Sequence, residues 1–220
     1  VVADAIAAGQ GRYLGVALVP VEISSDALRG LANQGFRAVR FNFMKHLGVG
    51  ANPEALVELT RRLAEHHMHL QVHFDPGLID DLSPWLKRSA VPVVIDHMAR
   101  VDATQGIQDH AFQALCRLLD NKRFHVKVSG IDRVNEKLPL DNPPYPLGIK
   151  LAAYLVSAFP SQCLWGTDWP HLNHTHIPDD GVLVQALARI APSPKLLQQL
   201  LVDNPQKLYR FDTSTPINAS

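Results

Sequence analysis

Six short apolar or β-branched runs, helix-period segments between them, and the absence of any glycine-rich nucleotide loop predict a parallel α/β fold of the TIM (β/α)8-barrel type. The runs fall at residues 13–19, 38–44, 69–74, 91–97, 124–130 and 162–165, each bounded by turn-forming residues. Runs such as VPVVID are apolar on both faces, as strands are when helices cover a parallel sheet. Doubly wound sheets and barrels share this alternation. The missing GxGxxG and GxxxxGK[ST] turns remove the commonest nucleotide-binding doubly wound folds and favour the barrel.

The elements follow in order. The opening VVADAIAAGQG reads as the second half of a helix, which suggests that something upstream is missing. Residues 25–35 form a helix with Ser25 at its start and Gly35 at its end, and Asn52-Pro53 opens another with Leu56, Leu59 and Leu63 on one face. Residues 109–119 and 148–159 supply two more. The proline-rich stretch 139–146 is a loop. Residues 213–220 are a tail, which leaves 1–212 as a single domain.

Composition narrows the partner. With 220 residues, 46% of them apolar, the chain can bury one sizeable core. A formal net charge of zero gives no long-range field to gather nucleic acid or a membrane surface, so a small molecule is the expected partner. Cys116 and Cys163 stand far apart without metal-type spacing, which suggests a reducing compartment. No stretch approaches the roughly 20 apolar residues of a membrane span, so a cytoplasmic location is expected.

The chemistry sits where apolar runs end. VVIDHMAR, HLQVHFD, HVKVSGIDR and CLWGTDWPH each place His, Asp, Ser or Arg at that point, and barrel active sites lie at the C-terminal ends of strands. Counting by twos puts His73, His97, Ser129 and Asp168 inward near the mouth, with Arg40 and Asn42 inward on their own strand. Two imidazoles on adjacent strands can share a divalent metal such as zinc, with Asp168 as third ligand or as base toward a bound water. Asp168 is the strongest candidate, because a carboxylate that follows an apolar strand and precedes Trp-Pro carries a desolvation cost that packing alone rarely justifies. Lys127 has inward parity and fits an interior ion pair or a snorkelling side chain better than catalysis. His171 and His174 read as loop residues, and the histidines at 66, 67, 110 and 125 as structural or surface.

VVIDHMAR, GTDWPH followed by PDDG, and LLVDNPQKLYRF together resemble the amidohydrolase superfamily, in its group that contains 2-pyrone-4,6-dicarboxylate hydrolases. That resemblance implies a barrel with a His-x-His pair on strand one, a His ending strand six and an Asp ending strand eight; His97 and Asp168 match the last two. The six runs then correspond to strands three to eight, and the first two strands and the His-x-His pair have no counterpart in these 220 residues. The resemblance also implies substrate-holding arginines, matched by Arg40 and Arg133; His46 replaces a third, and His73 replaces a tyrosine. The expected reaction is opening of a carboxylated lactone in aromatic-compound degradation. Asp168 acts as general base, His97 polarises the carbonyl, Arg40 and Arg133 hold carboxylates, and Ser129, His73 and His46 line the pocket. Either no cofactor is needed or one divalent metal is held by His73, His97 and Asp168. A metal-dependent decarboxylase of the same family and an inactive barrel fragment are the alternatives, whereas a Ser-His-Asp esterase is disfavoured because no G-x-S-x-G elbow occurs.

Overall fold

In the computed structural model, which describes residues 1–44, 52–135, 144–172 and 177–211, six strands form one sheet. They are β1 (Gly15–Leu18), β2 (Phe36–Phe43), β3 (His69–Phe74), β4 (Val93–Ile95), β5 (Phe124–Lys127) and β6 (Cys163–Leu164). Every neighbouring pair is parallel and the spatial order is the sequence order. A doubly wound sheet reverses its strand order at a switch point, and this sheet has none, so it is the six-stranded arc of a barrel wall.

The helices α2 (Ser25–Asn33), α3 (Pro53–Glu65), α4 (Ile79–Leu86), α5 (His110–Leu119) and α6 (Pro146–Ala158) lie one in each crossover, after the opening α1 (Val2–Ala8). Their starts are written in side chains that accept otherwise orphaned backbone N–H groups: Ser24 from Ala27, Asn52 from Glu54 and Ala55, and Asp109 from Phe112. Sequence periodicity finds these helices to within about two residues, except α4, whose internal Pro84 interrupts the helical signal. After β6 the described residues continue as the short helices α7 (Asp180–Gln185), α8 (Leu187–Ile190), α9 (Pro194–Gln198) and α10 (Asn204–Tyr209), the last two joined by a π-helical stretch, Gln199–Asp203. Among the described residues no helix is long and apolar enough to cross a membrane, and Cys116 and Cys163 are unpaired.

Alternation along the strands divides the barrel wall. Val39, Phe41, Leu70, Val72, Phe74, Val93, Ile95, Phe124 and Val126 point toward the helices and merge with Leu59, Leu63, Phe112, Leu115 and Leu155 in one apolar cluster. The other parity places Arg40, Asn42, Gln71, His73 and Lys127 on the barrel interior, where most barrels stack branched apolar residues. Two buried amides tie the wall together. Gln162 Nε2 donates to the carbonyls of Leu119 and Phe124, and Asn204 Nδ2 donates to those of Pro160 and Cys163, which anchors α10 under β6.

Several strands stop sooner than the apolar runs do. β4 ends at Ile95 rather than continuing to His97, and β5 ends at Lys127 rather than Gly130. The chain leaves β4 in a left-handed turn: His97, Met98, Ala99 and Arg100 all have positive φ, between 46° and 56°. For non-glycine residues this costs roughly 1–2 kcal/mol each, so the surrounding fold must enforce it. The tail 213–220 lies outside the described residues.

Candidate active site

At the centre of the interior face is Asp96, a carboxylate only 1% exposed. Gln71 Nε2 donates to its Oδ2 at 2.8 Å, Arg40 Nε stands 2.8 Å from the same oxygen, and Lys127 Nζ lies 3.1 Å from Oδ1. Burial works against its charge, but Lys127, His97 and Arg40 outweigh it and hold the carboxyl far below the ordinary carboxylate range. Lys127 is likewise kept charged, because the attraction of Asp96 exceeds the cost of burial. β2, β3, β4 and β5 thus meet on one ion cluster just beneath the mouth.

Above it, the left-handed turn swings His97 over the barrel. Its Nδ1 is 2.9 Å from Ser129 Oγ and its Nε2 is 3.4 Å from Asp168 Oδ1. Gly130, at φ 68°, makes room: a Cβ there would come within 3.2 Å of His97 Cβ. The His73 ring meets His97 edge to face with centroids 5.2 Å apart. Burial pushes His97 down to about 4 despite Asp96 and Asp168, and burial, His97 and Arg40 push His73 down to about 3. Both imidazoles are therefore neutral at pH 7.

Asp168 follows β6 at φ 68°. The Arg133 guanidinium grips its Oδ2 through Nε at 2.6 Å and Nη2 at 2.5 Å, and Nη2 also donates to the Leu172 carbonyl at 3.0 Å. That leaves Oδ1 as the oxygen turned toward His97. His171, expected in a loop, is instead 5% exposed, with Nε2 3.2 Å from Asp180 Oδ1 and its backbone N–H on the Asp168 carbonyl. It braces the turn that carries Asp168 against α7.

The amidohydrolase family model matches residues 1–211. The chain belongs to the amidohydrolase family. It is 36% identical over 212 residues to a 2-pyrone-4,6-dicarboxylate hydrolase of Comamonas testosteroni, a match that covers 94% of this chain and 70% of that one. It is 31% identical over 210 residues to a 4-sulfomuconolactone hydrolase of Hydrogenophaga intermedia, covering 94% of this chain and 68% of the relative. Among solved structures, a probable 2-pyrone-4,6-dicarboxylic acid hydrolase of Acinetobacter baumannii with citric acid bound superposes with a TM-score of 0.81 at 27% identity, over 95% of this chain and 77% of the other.

In this amidohydrolase His97, Ser129, Asp168 and Arg133 form one connected group, and His73 abuts it. Arg40 sits one layer deeper, 26% exposed and paired with Asp96, so the interior ion pair is where it is held. His46 and His174 lie outside the described residues. Parity does not explain His97: it shares the phase of Val93 and Ile95, which face the helices, and reaches the mouth only because the backbone turns left-handed. The ligand set His73, His97 and Asp168 does not fit a metal as these side chains stand. Among the described residues no three His, Cys, Asp or Glu groups converge on a common point, and Arg133 already holds one Asp168 oxygen. Sequence reading did not single out Asp96; the signal was its phase, two residues beyond the inward Val94, which points it at Gln71, Arg40 and Lys127.

Proposed function

We propose that this amidohydrolase opens a carboxylated lactone, using water activated by Asp168. The observation that carries the reading is the Arg133–Asp168–His97–Ser129 chain at the mouth, with a neutral imidazole between a carboxylate and a hydroxyl. The relatives support the substrate class, since one is named for a pyrone dicarboxylate, another for a sulfomuconolactone, and a solved neighbour holds citric acid.

Arg133 couples binding to base strength. Paired with Arg133, the Asp168 carboxylate is a poor proton acceptor; a substrate carboxylate offers the guanidinium fork an alternative bidentate partner. Asp168 Oδ1 then takes a proton from water as the water oxygen bonds to the lactone carbonyl carbon. Neutral His97, oriented by Ser129, presents Nε2 to the developing oxyanion. Collapse breaks the ring C–O bond, and the leaving oxygen takes the proton from Asp168, so the net change is addition of one water. Arg40 offers the guanidinium donors that Asp96 does not take to a second anionic group.

The Ser-His-Asp connection does not make Ser129 a nucleophile. Its residue is 3% exposed, and Asp168 is engaged by Arg133 rather than reserved for the imidazole.

The deciding assay is ring opening of 2-pyrone-4,6-dicarboxylate and 4-sulfomuconolactone by this chain and by Asp168→Asn, each with and without chelator. Turnover that falls by about 10²–10⁴ in the variant is expected for loss of a general base. A folded chain inactive on every anionic lactone tried overturns the reading, and activity lost to chelator replaces the metal-free version with a metal-assisted one.

A further inference from the structure

The opposite ends of the strands form a cavity of about 570 Å³, within the range of small-molecule sites. His69 opens β3, Pro92 precedes β4, His125 lies near the start of β5 and Gln162 precedes β6, so the cavity belongs to the N-terminal face. Along β3 its His69 stands four positions before His73, about 13 Å of strand. It is therefore distinct from the active site.

Its lining combines apolar surface from Met68, Val91 and Leu208 with the cations Lys122, Lys207 and Arg210, and no Asp or Glu among the described residues lines it. Lys122 donates to the Gln162 amide oxygen and Arg210 to the His67 carbonyl, which are neutral acceptors, and among the described residues no carboxylate pairs with either cation. A buried imidazole nitrogen beside it, His69 Nε2, has no hydrogen-bond partner among the described residues. The local field is positive enough to be felt by neighbours: burial, then Lys127, His125 and Arg210, push His69 down to about 3, and burial, aided by Lys207 and opposed by a backbone hydrogen bond at Arg123, lowers His125. In a chain with zero net charge, this concentration of unpaired cations around an apolar hollow is a local feature.

We propose that this cavity binds a small organic carboxylate, its anionic end against Lys122, Lys207 and Arg210 and its apolar body against Met68, Val91 and Leu208. Solvent-exposed ammonium groups hold an anion weakly because water screens them, so the apolar wall is needed for affinity. An aromatic carboxylate should therefore bind better than inorganic phosphate of equal or higher charge.

Calorimetric titration tests this in an Arg133→Gln protein, in which the active-site fork is disabled. Benzoate should bind saturably at one site, neutral benzamide and phosphate each at least 10-fold more weakly, and adding the exposed Lys207→Glu change should weaken benzoate about 10-fold. Lys207→Glu alone should leave the circular dichroism melt of the chain unchanged, which shows that it still folds. Absence of saturable benzoate binding, binding indifferent to Lys207→Glu, or benzamide or phosphate binding as tightly as benzoate each overturns the proposal.

Discussion

Replacing Asp96 by Asn tests how much the interior ion cluster contributes. The substitution keeps the shape and removes the charge that Lys127 Nζ meets at 3.1 Å and Arg40 Nε at 2.8 Å. Two cations then face each other across the barrel interior without an anion. Breaking a buried pair by removing one partner costs about 3–5 kcal/mol, against a total stability of about 5–15 kcal/mol for a typical domain. For a domain of this length each kcal/mol moves Tm by about 2–4 °C, so Asp96→Asn should melt roughly 6–20 °C below the wild type. Circular dichroism melts and urea titrations at pH 7 measure this directly. Adding Lys127→Met should recover part of the loss, since it removes the orphaned ammonium. A Tm within about 2 °C of the wild type would refute the reasoning and mean that water enters the interior and screens the cluster.

Three further outcomes follow from the site. Ser129→Ala removes the partner of His97 Nδ1 and should lower kcat about 10-fold, or about 1.4 kcal/mol, with KM unchanged; a raised KM at constant kcat would instead place Ser129 on the substrate. Gly130→Ala, at φ 68° and with a Cβ 3.2 Å from that of His97, should cost about 1–2 kcal/mol and several degrees of Tm while also depressing turnover; a melt equal to the wild type would show that the turn relaxes freely. His97 at about 4 and His69 at about 3 are depressed below the unfolded value near 6.5, so the unfolded chain binds more protons below that pH. Their stabilisation is full above about pH 6.5 and is lost as pH falls toward 4, by up to about 1.4 kcal/mol per pH unit for each; urea midpoints that stay flat from pH 7 to 4.5 would contradict this.

The legible part of the fold came from patterns that strands and helix starts impose on sequence. Period-two alternation correctly set Arg40, Asn42, His73 and Lys127 inward, because β2, β3 and β5 are regular where those residues sit. Helix starts at Asn52 and Asp109 were readable because a cap is a local event. Strand order was not readable from alternation, which barrels and doubly wound sheets share; the family resemblance supplied it, and the unreversed pairing bears it out. His97 reached its site for a reason other than phase, through four consecutive left-handed residues that no propensity favours. The grip of Arg133 on Asp168 joins residues 35 positions apart, with α6 and β6 between them, and nothing in either local sequence announces it. The same holds for His171, whose place beneath Asp168 depends on α7.

The left-handed turn at His97–Arg100 carries a thermal consequence. Met98 and Ala99 are fully enclosed, so the core holds this backbone in a conformation that it would abandon if released. A segment enclosed on every side cannot relax by itself, so it stays shut until the strands packed around it give way. His97 rides on that segment. Warming should therefore abolish activity only together with the circular dichroism signal of the barrel wall, with no inactive yet folded state on the way.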